Sequence, residues 1–309
     1  MTEERKDRGG SRRGFLRAAA AGAAGWTLGQ NLPACETDQP QPASGRQTVR
    51  DKFWIWTVFA GGDNKGWGLP KPSRITPAEA AYYLGVPNLF MIRSHGKPAI
   101  AEFDQWAIAL RPLKRVAWSI TGAGGKTSLE ERKQALRLAQ RFPNITDFIM
   151  DDFFRPDGSG ALSPEELEGL KKQLVINGRK HDLYVVVYQR QLELPLAGHL
   201  EYCDKITLWT WRSENLQNLE RNLQRLEKLA PRHGILLGCY LWDYGNKSPM
   251  PLKGMKMQCR LGLRWLKQKR IEGMIFLGNT VCDLGLESVE WTRKWIAEVG
   301  DQPIETPGM

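Results

Sequence analysis

The chain is poor in histidine, which limits the chemistry that it can support. Only four of its 309 residues are histidines. His181, His199 and His233 fall in loop-like positions, and only His95 follows an apolar, strand-like run. Protein zinc sites are built largely from several histidines or thiolates brought together. We therefore expect no histidine-rich metal site.

Cysteine is also scarce, and its placement is typical of buried free thiols. The chain has five cysteines and no C-x-x-C pair. Cys239 lies in an apolar strand-like run and Cys259 in a helical segment, where a thiol packs as a small apolar group. Cys203 and Cys282 are equally isolated. A disulfide between two of these residues stays open if the protein reaches an oxidising compartment.

The uncharged run near the amino terminus is too short to span a bilayer, but it resembles part of an export signal. It extends from Ala18 to Gln30 and is rich in alanine and glycine, whereas a spanning helix needs about 20 apolar residues. Before it stands Ser11-Arg12-Arg13-Gly14-Phe15-Leu16-Arg17, which resembles a twin-arginine signal: paired arginines, a spacer and an apolar pair. The resemblance implies that residues 1–34 are a processed signal.

The segment Leu32-Pro33-Ala34-Cys35 resembles a bacterial lipobox. The resemblance implies membrane anchoring through a lipidated Cys35, at the periplasmic face or the cell surface. Residues 35–50 are mostly polar, contain proline and lack a period, which is typical of a flexible linker. What remains is one domain at 51–300, of the size of a barrel, and a tail at 301–309.

The charge is unbalanced, with a formal net charge of +10 at pH 7. A basic exported protein favours an acidic polysaccharide or the cell envelope, although charge speaks to attraction and not to chemistry. No nucleic-acid-binding motif is present, and export argues against a nucleic-acid partner. The sequence leaves the oligomeric state open.

Apolar, β-branched or aromatic runs recur along the domain and predict eight strands. They are Phe53 to Phe59, Asn88 to Ile92, Arg115 to Ile120, Ile145 to Met150, Leu183 to Tyr188, Lys205 to Thr210, Ile235 to Leu241 and Gly273 to Leu277. Helical patterns stand between most of them. The clearest are Thr76 to Leu84, Ser128 to Arg141, Ser163 to His181, Ser213 to Leu229, Pro251 to Lys269 and Leu286 to Val299.

This alternation predicts an α/β fold, a single-domain (β/α)8 TIM barrel. The alternative is an open doubly wound sheet. However, no G-x-G-x-x-G follows the first strand, and Gly61-Gly62 lacks a phosphate-loop lysine. We therefore favour the barrel and expect no cofactor.

The strand from Thr146 ends in two adjacent carboxylates, Asp151 and Asp152. In a barrel the strand ends converge on one face, so other residues at strand ends join them in one predicted site. A solvated strand end, with one acid capping the next helix, is the structural alternative. The further candidates are Thr57, Arg93, His95, Gln189, Trp209, Trp211, Tyr240, Trp242, Asp243, Asn279 and Asp283.

The collected side chains are acids, amides and large aromatics, which suit a carbohydrate. Aromatic faces stack on sugar rings, and polar side chains bond hydroxyl groups. In the pairs Trp209/Trp211 and Tyr240/Trp242, a spacing of two places both aromatics on one face of a strand. Packing in the core is the alternative for each of these rings.

The run Phe148-Ile149-Met150-Asp151-Asp152 resembles the strand-four motif of family 84 glycoside hydrolases, which are (β/α)8-barrel N-acetylhexosaminidases. The resemblance implies that Asp151 polarises the acetamido group of the substrate and that Asp152 is the general acid. Burial and mutual repulsion would raise one pKa of the pair. An ordinary two-carboxylate glycosidase, with one of these acids working against Asp243, remains open.

Two other functional classes remain open. A glycan-binding barrel without catalysis would use the tryptophans alone, whereas a sugar isomerase or lyase would need metal ligands at several strand ends. The segment from Arg155 to Glu166 resembles a calcium loop, but Arg155 occupies the first ligand position, where a cation repels calcium. We expect a tight turn and a capped helix there, and no bound metal.

Replacing both Arg12 and Arg13 with lysine should leave the precursor in the cytoplasm, because the signal depends on the arginine pair and not only on charge. Fractionation followed by immunoblotting measures this. Arg17→Lys, outside the pair, is the matched control and should be exported. Normal export of the double-lysine variant would contradict the assignment.

Overall fold

The computed structural model describes residues 47–304, in which eight parallel strands close into a barrel. Around the barrel the order of strands is β1-β8-β7-β6-β5-β4-β3-β2. The strands are β1 (Phe53–Thr57), β2 (Asn88–Met91), β3 (Arg115–Thr121), β4 (Ile145–Met150), β5 (Asp182–Tyr188), β6 (Lys205–Trp209), β7 (Gly234–Tyr240) and β8 (Gly273–Leu277). The predicted signal and Cys35 lie outside the described residues.

A helix follows each strand, and these helices surround the barrel. They are α1 (Pro77–Leu84), α2 (Phe103–Ala109), α3 (Leu129–Arg141), α4 (Pro164–Lys171), α5 (Ala197–Leu200), α6 (Leu219–Leu229), α7 (Leu252–Lys267) and α8 (Glu287–Val299). The predicted single-domain (β/α)8 barrel is confirmed. Within residues 47–304, none of the helices is both long enough and apolar enough to span a bilayer.

The segment between β4 and β5 differs from its prediction. Ser163 caps α4 and Glu166 closes the capping box, as expected. The helix nevertheless ends at Lys171 rather than near His181, and a two-stranded hairpin follows, with Asn177 and Gly178 at its turn. Both turn residues have positive φ, which an Asn-Gly pair accommodates readily. This local turn chemistry outweighs the helical spacing of the apolar residues.

Both ends of the described chain belong to the bottom of the barrel. Thr48 bridges to Pro303, and the Val49 amide donates to the Gln302 carbonyl at 2.9 Å. Val49 is fully buried. The last residues of the predicted linker and the first of the predicted tail are therefore paired, because burial of Val49 ties them to the domain.

Charged side chains lie at the bottom of the barrel, in compensating contacts. Arg115 pairs with Asp147 at 2.7 Å, and its guanidinium lies 4.8 Å from the ring centre of Trp54. The ammonium of Lys205 lies 3.1 Å from carboxylate oxygens of both Asp182 and Glu272. Such pairing offsets much of the cost of removing charges from water.

Aromatic rings fill the barrel above these charges. The ring centres of Trp54 in β1 and Tyr184 in β5 lie 6.2 Å apart, and those of Trp56 and Trp209 in β6 lie 5.3 Å apart. Neither pair belongs to neighbouring strands, so the contacts cross the interior. Trp209 donates from Nε1 to Thr207 at 2.8 Å and packs on the backbone of Gly238. This aromatic layer forms the floor of the cavity at the carboxyl ends of the strands.

Gly238→Ala should destabilise the barrel, because the added Cβ would lie 2.1 Å from Cε3 of Trp209. Overpacking of this kind costs about 1–3 kcal/mol in the free energy of unfolding. Gly169→Ala is the matched control, since open space surrounds that exposed position in α4. It should be neutral or stabilising by up to about 1 kcal/mol. Chemical denaturation measures both, and equal stability of the two variants would contradict the packing.

Candidate active site

The carboxyl ends of the strands surround a cavity of about 490 Å³. Seven of the candidates predicted from the sequence line it: His95, Asp151, Asp152, Trp209, Trp211, Tyr240 and Asn279. Strand ends and loops add lining residues that were not predicted, among them Trp56, Asp63, Trp67, Lys126, Tyr188 and Tyr244, together with Arg190, which follows β5 beside the candidate Gln189. The cavity is therefore both aromatic and polar.

Asp151 is a buried carboxyl group at the end of β4. Its side chain is 7% exposed, and one of its oxygens accepts a hydrogen bond from the Asp152 amide at 2.9 Å. Burial raises the pKa of Asp151 well above its usual value, and the neighbouring charge of Asp152 raises it further. Burial and the adjacent charge thus both favour the protonated form of this carboxyl group.

Asp152 is held by two donors, one at the end of β5 and one in the loop after β3. The Tyr188 hydroxyl donates to Oδ1 at 2.7 Å, and the Gly124 amide donates to Oδ2 at 2.9 Å. The residue has φ of 45°, in the left-handed region, so the chain turns sharply after β4. The turn and the two donors set the direction of this carboxylate.

Aromatic side chains form the walls above the floor. Trp211 lies edge-on to Tyr188 at 6.0 Å and to Tyr240 at 5.8 Å, and Trp67 lies edge-on to Trp211 at 5.8 Å. The hydroxyl groups of Tyr188 and Tyr240 are buried, and burial raises both pKa values well above the usual value. These phenols stay protonated and can donate hydrogen bonds to a ligand or to a carboxylate.

Arg93 does not line the cavity, but it supports the loop that carries His95. Its guanidinium pairs with the buried Glu131 of α3 at 3.0 Å and donates to the Pro98 carbonyl at 3.0 Å. His95 lies at the cavity with Nδ1 2.9 Å from the Ser94 hydroxyl. Arg93 therefore positions the loop rather than meeting a ligand.

Asn279 lines the cavity while joining the first and last strand ends. Its amide oxygen accepts from the Val58 amide and its amide nitrogen donates to the Val58 carbonyl, both at 3.0 Å. Both ends of its side-chain amide are thus engaged by the backbone. These two hydrogen bonds give the asparagine at this position a structural role.

Asp243, a predicted catalytic residue, does not line the cavity. It lies in the first strand of a short hairpin after β7 and is 1% exposed. Its carboxylate accepts hydrogen bonds from the Ser213 amide at 3.1 Å and from the amide and side chain of Asn246 at 3.1 and 2.9 Å. The carboxylate thus orders two loops, because backbone donors occupy it.

The other predicted binding residues outside the cavity also have partners within the protein. Thr57 donates to the Phe90 carbonyl at 2.8 Å, and Gln189 accepts from the Trp211 amide at 3.0 Å. The remaining two, Trp242 and Asp283, hold the loop after β1: the indole donates to the Trp67 carbonyl, and the carboxylate accepts from the amides of Arg74 and Ile75.

Asp63 is the carboxyl group that the sequence analysis missed. It lies six residues beyond β1, beside Asn64, and was not among the predicted candidates. The usable signal was an acid followed closely by Asn64 and Trp67 in a loop at the carboxyl end of a strand. Thr280 and Tyr244 donate to Oδ2 of Asp63 at 2.5 and 3.3 Å.

Known proteins resemble this chain in fold and not in sequence. No protein-family model and no curated protein sequence matches it. Solved structures that resemble it are glycoside hydrolases built on a parallel eight-stranded barrel.

Three of these solved structures represent the likeness. Active domain 2 of a chitinase from Pyrococcus furiosus has a TM-score of 0.53 at 12% identity, over 82% of this chain and 98% of that one. A family 51 α-L-arabinofuranosidase from Bifidobacterium longum has a TM-score of 0.52 at 12% identity, over 82% of this chain and 73% of that one. A family 5 mannosidase from Rhizomucor miehei has a TM-score of 0.53 at 9% identity, over 82% of this chain and 94% of that one. These likenesses show a shared fold.

Asp151→Asn should make the protein more stable at pH 7. The folded state binds a proton on Asp151 that the unfolded chain releases above about pH 4, so stability falls as the pH rises from there through the raised pKa. Asparagine removes this loss and still accepts from the Asp152 amide. The melting temperature should rise at pH 7 and change little near pH 4. In a domain of this size, each kcal/mol in the free energy of unfolding corresponds to about 2–4 °C.

Asp301→Asn is the matched control for this measurement. Asp301 is an exposed carboxylate paired with Arg50 at the other end of the barrel. We expect no gain at pH 7 from that variant. A loss of stability in Asp151→Asn at pH 7 would contradict the burial of a protonated carboxyl group.

Proposed function

We propose that the protein is a glycoside hydrolase whose catalytic centre is Asp151 and Asp152. The observation that carries the proposal is a buried carboxyl group of raised pKa in a cavity walled by aromatic rings. Cleavage of a glycosidic bond needs a carboxyl group that still holds its proton at neutral pH. Aromatic walls suit sugars, since their rings stack on C–H faces.

In this proposal Asp151 gives its proton to the glycosidic oxygen and Asp152 orients the sugar. Tyr188 and Gly124 already donate to both oxygens of Asp152, so that residue is set as a fixed acceptor. Asp151 has one protein donor on its carboxyl group among the described residues. The roles are thus the reverse of those implied by the resemblance to family 84, because burial favours the proton on Asp151.

The cavity offers a platform for more than one kind of sugar contact. Trp67, Trp211 and Tyr244 line it with aromatic rings, and Lys126 and Arg190 line it with cationic side chains. Arg190 lies 4.5 Å above the ring of Tyr188, which holds the guanidinium beside the cavity. We propose a glycan substrate, bound by stacking on the rings and by hydrogen bonds to its hydroxyl groups.

The proposal places this activity outside the cytoplasm. The support is the pair Arg12-Arg13 ahead of a weakly hydrophobic run, with Cys35 as the anchoring residue. A glycan of the envelope or the surroundings is then the accessible substrate. The excess of basic over acidic residues that remains after removal of residues 1–34 favours contact with acidic envelope polymers.

Chromogenic glycosides and oligosaccharides, screened with the purified protein, test the function. On the best substrate, Asp151→Asn should lower kcat about 10²-fold or more when the leaving group is a sugar, since proton delivery is lost. The decrease in kcat of Asp151→Asn should be much smaller with a dinitrophenyl leaving group, because that group departs without a proton. Asp152→Asn should lower kcat with either leaving group, because orientation is lost.

Asp301→Asn serves again as the control and should keep full activity. A wild-type protein that binds oligosaccharides in calorimetry but cleaves none would make it a glycan-binding barrel instead. Undiminished turnover in an Asp151→Asn/Asp152→Asn double variant would move the active site elsewhere.

A further inference from the structure

We propose that Asp63 is the second catalytic carboxylate, facing the anomeric carbon from the side of the cavity opposite Asp151. This inference rests on the proposed glycoside hydrolysis and extends it. The proton donor and the opposing carboxylate of a glycosidase flank the scissile bond, so they come from different parts of the site. Asp151 and Asp152 are adjacent in the chain and cannot flank a sugar between them.

The topology places Asp63 where an opposing group is needed. It follows β1, whereas Asp151 and Asp152 follow β4, and the order of strands puts β2 and β3 between them on the shorter way round the barrel. All three carboxyl groups line the same cavity. Asp243, the opposing acid expected from the sequence, is turned to backbone donors and does not line it.

Asp63 is fixed in place by donors from two other loops of the barrel. Thr280, after β8, and Tyr244, after β7, both donate to Oδ2. Burial raises the pKa of Asp63, and these two donors, the charge of His95 and the indole of Trp67 work against that rise. A carboxylate that is buried, oriented and surrounded by donors is suited to meet positive charge developing on a sugar ring.

An opposing carboxylate acts either as a general base or as a nucleophile, and protons and bonds balance in both cases. Asp151 gives its proton to the leaving oxygen as the bond from C1 to that oxygen breaks. Asp63 then either takes a proton from the water that forms the new bond to C1, or forms a transient ester with C1 that water hydrolyses. In the first form the proton taken up by Asp63 returns to Asp151 through solvent, and in the second form Asp151 takes a proton from the water that hydrolyses the ester. In both forms one water is consumed and both protein carboxyls regain their starting protonation.

A purely structural role for Asp63 is the competing explanation, because its hydrogen bonds tie three loops together. Asp63→Asn separates the two roles. Asparagine keeps an oxygen that accepts from Thr280 and Tyr244, but it lacks the negative charge. A structural residue would tolerate this change, whereas an opposing carboxylate would not.

The experiment compares wild type, Asp63→Asn, Asp63→Ala and Asp151→Asn on the best substrate from the screen. We expect Asp63→Asn to lose about 10²-fold or more in kcat with a sugar and with a dinitrophenyl leaving group alike. Its melting temperature should stay near that of the wild type. This pattern differs from Asp151→Asn, whose loss should shrink with the better leaving group.

Azide supplies the readout that a structural role would not move. In Asp63→Ala the missing carboxylate leaves room for azide to attack C1, so added azide should restore turnover and yield a glycosyl azide of configuration opposite to the substrate. Turnover by Asp63→Asn within about threefold of wild type, or loss in both Asp63 variants without azide rescue, would overturn the inference while leaving the proposed function standing. A wild-type protein that cleaves no glycoside would remove both.

Discussion

The parallel pairing of β1 with β8 is the constraint on which the cavity depends. It closes the barrel, with Phe53 beside Met274 and Trp56 beside Leu277. The first and last loops of the domain thereby become neighbours. Asn279 can bond the backbone of Val58, and Thr280 can bond Asp63, only because the two ends of the sheet meet. Without closure the walls of the site would come apart.

The two ends of the barrel treat buried charge differently. At the bottom, Arg115 pairs with Asp147, and Lys205 lies between two carboxylates, so the charges are compensated. At the top, Asp151 is buried beside another carboxylate with one backbone donor, and its pKa rises accordingly. Paired charges serve the fold, whereas an uncompensated acid costs stability and is typical of a functional site.

Much of the fold was predictable because its signals are local. Eight apolar runs gave the strands, and Ser163 with Glu166 marked the start of α4. The prediction went wrong where two local signals competed, at Asn177-Gly178, whose turn ends a helical pattern early. The site was predictable only in part. Seven strand-end candidates line the cavity because barrel topology brings strand ends together.

The sequence by itself determined the alternation of strands and helices, the two acids at the end of β4 and the aromatic residues at the ends of other strands. Apolar period and residue type decide these features over a few positions, without long-range contacts. The tertiary structure alone decided which acids meet in the cavity. Asp243 turns to Ser213 and Asn246, while Asp63 reaches the cavity from a loop. The direction of a side chain beyond a strand end depends on donors from distant loops, and no local pattern encodes them.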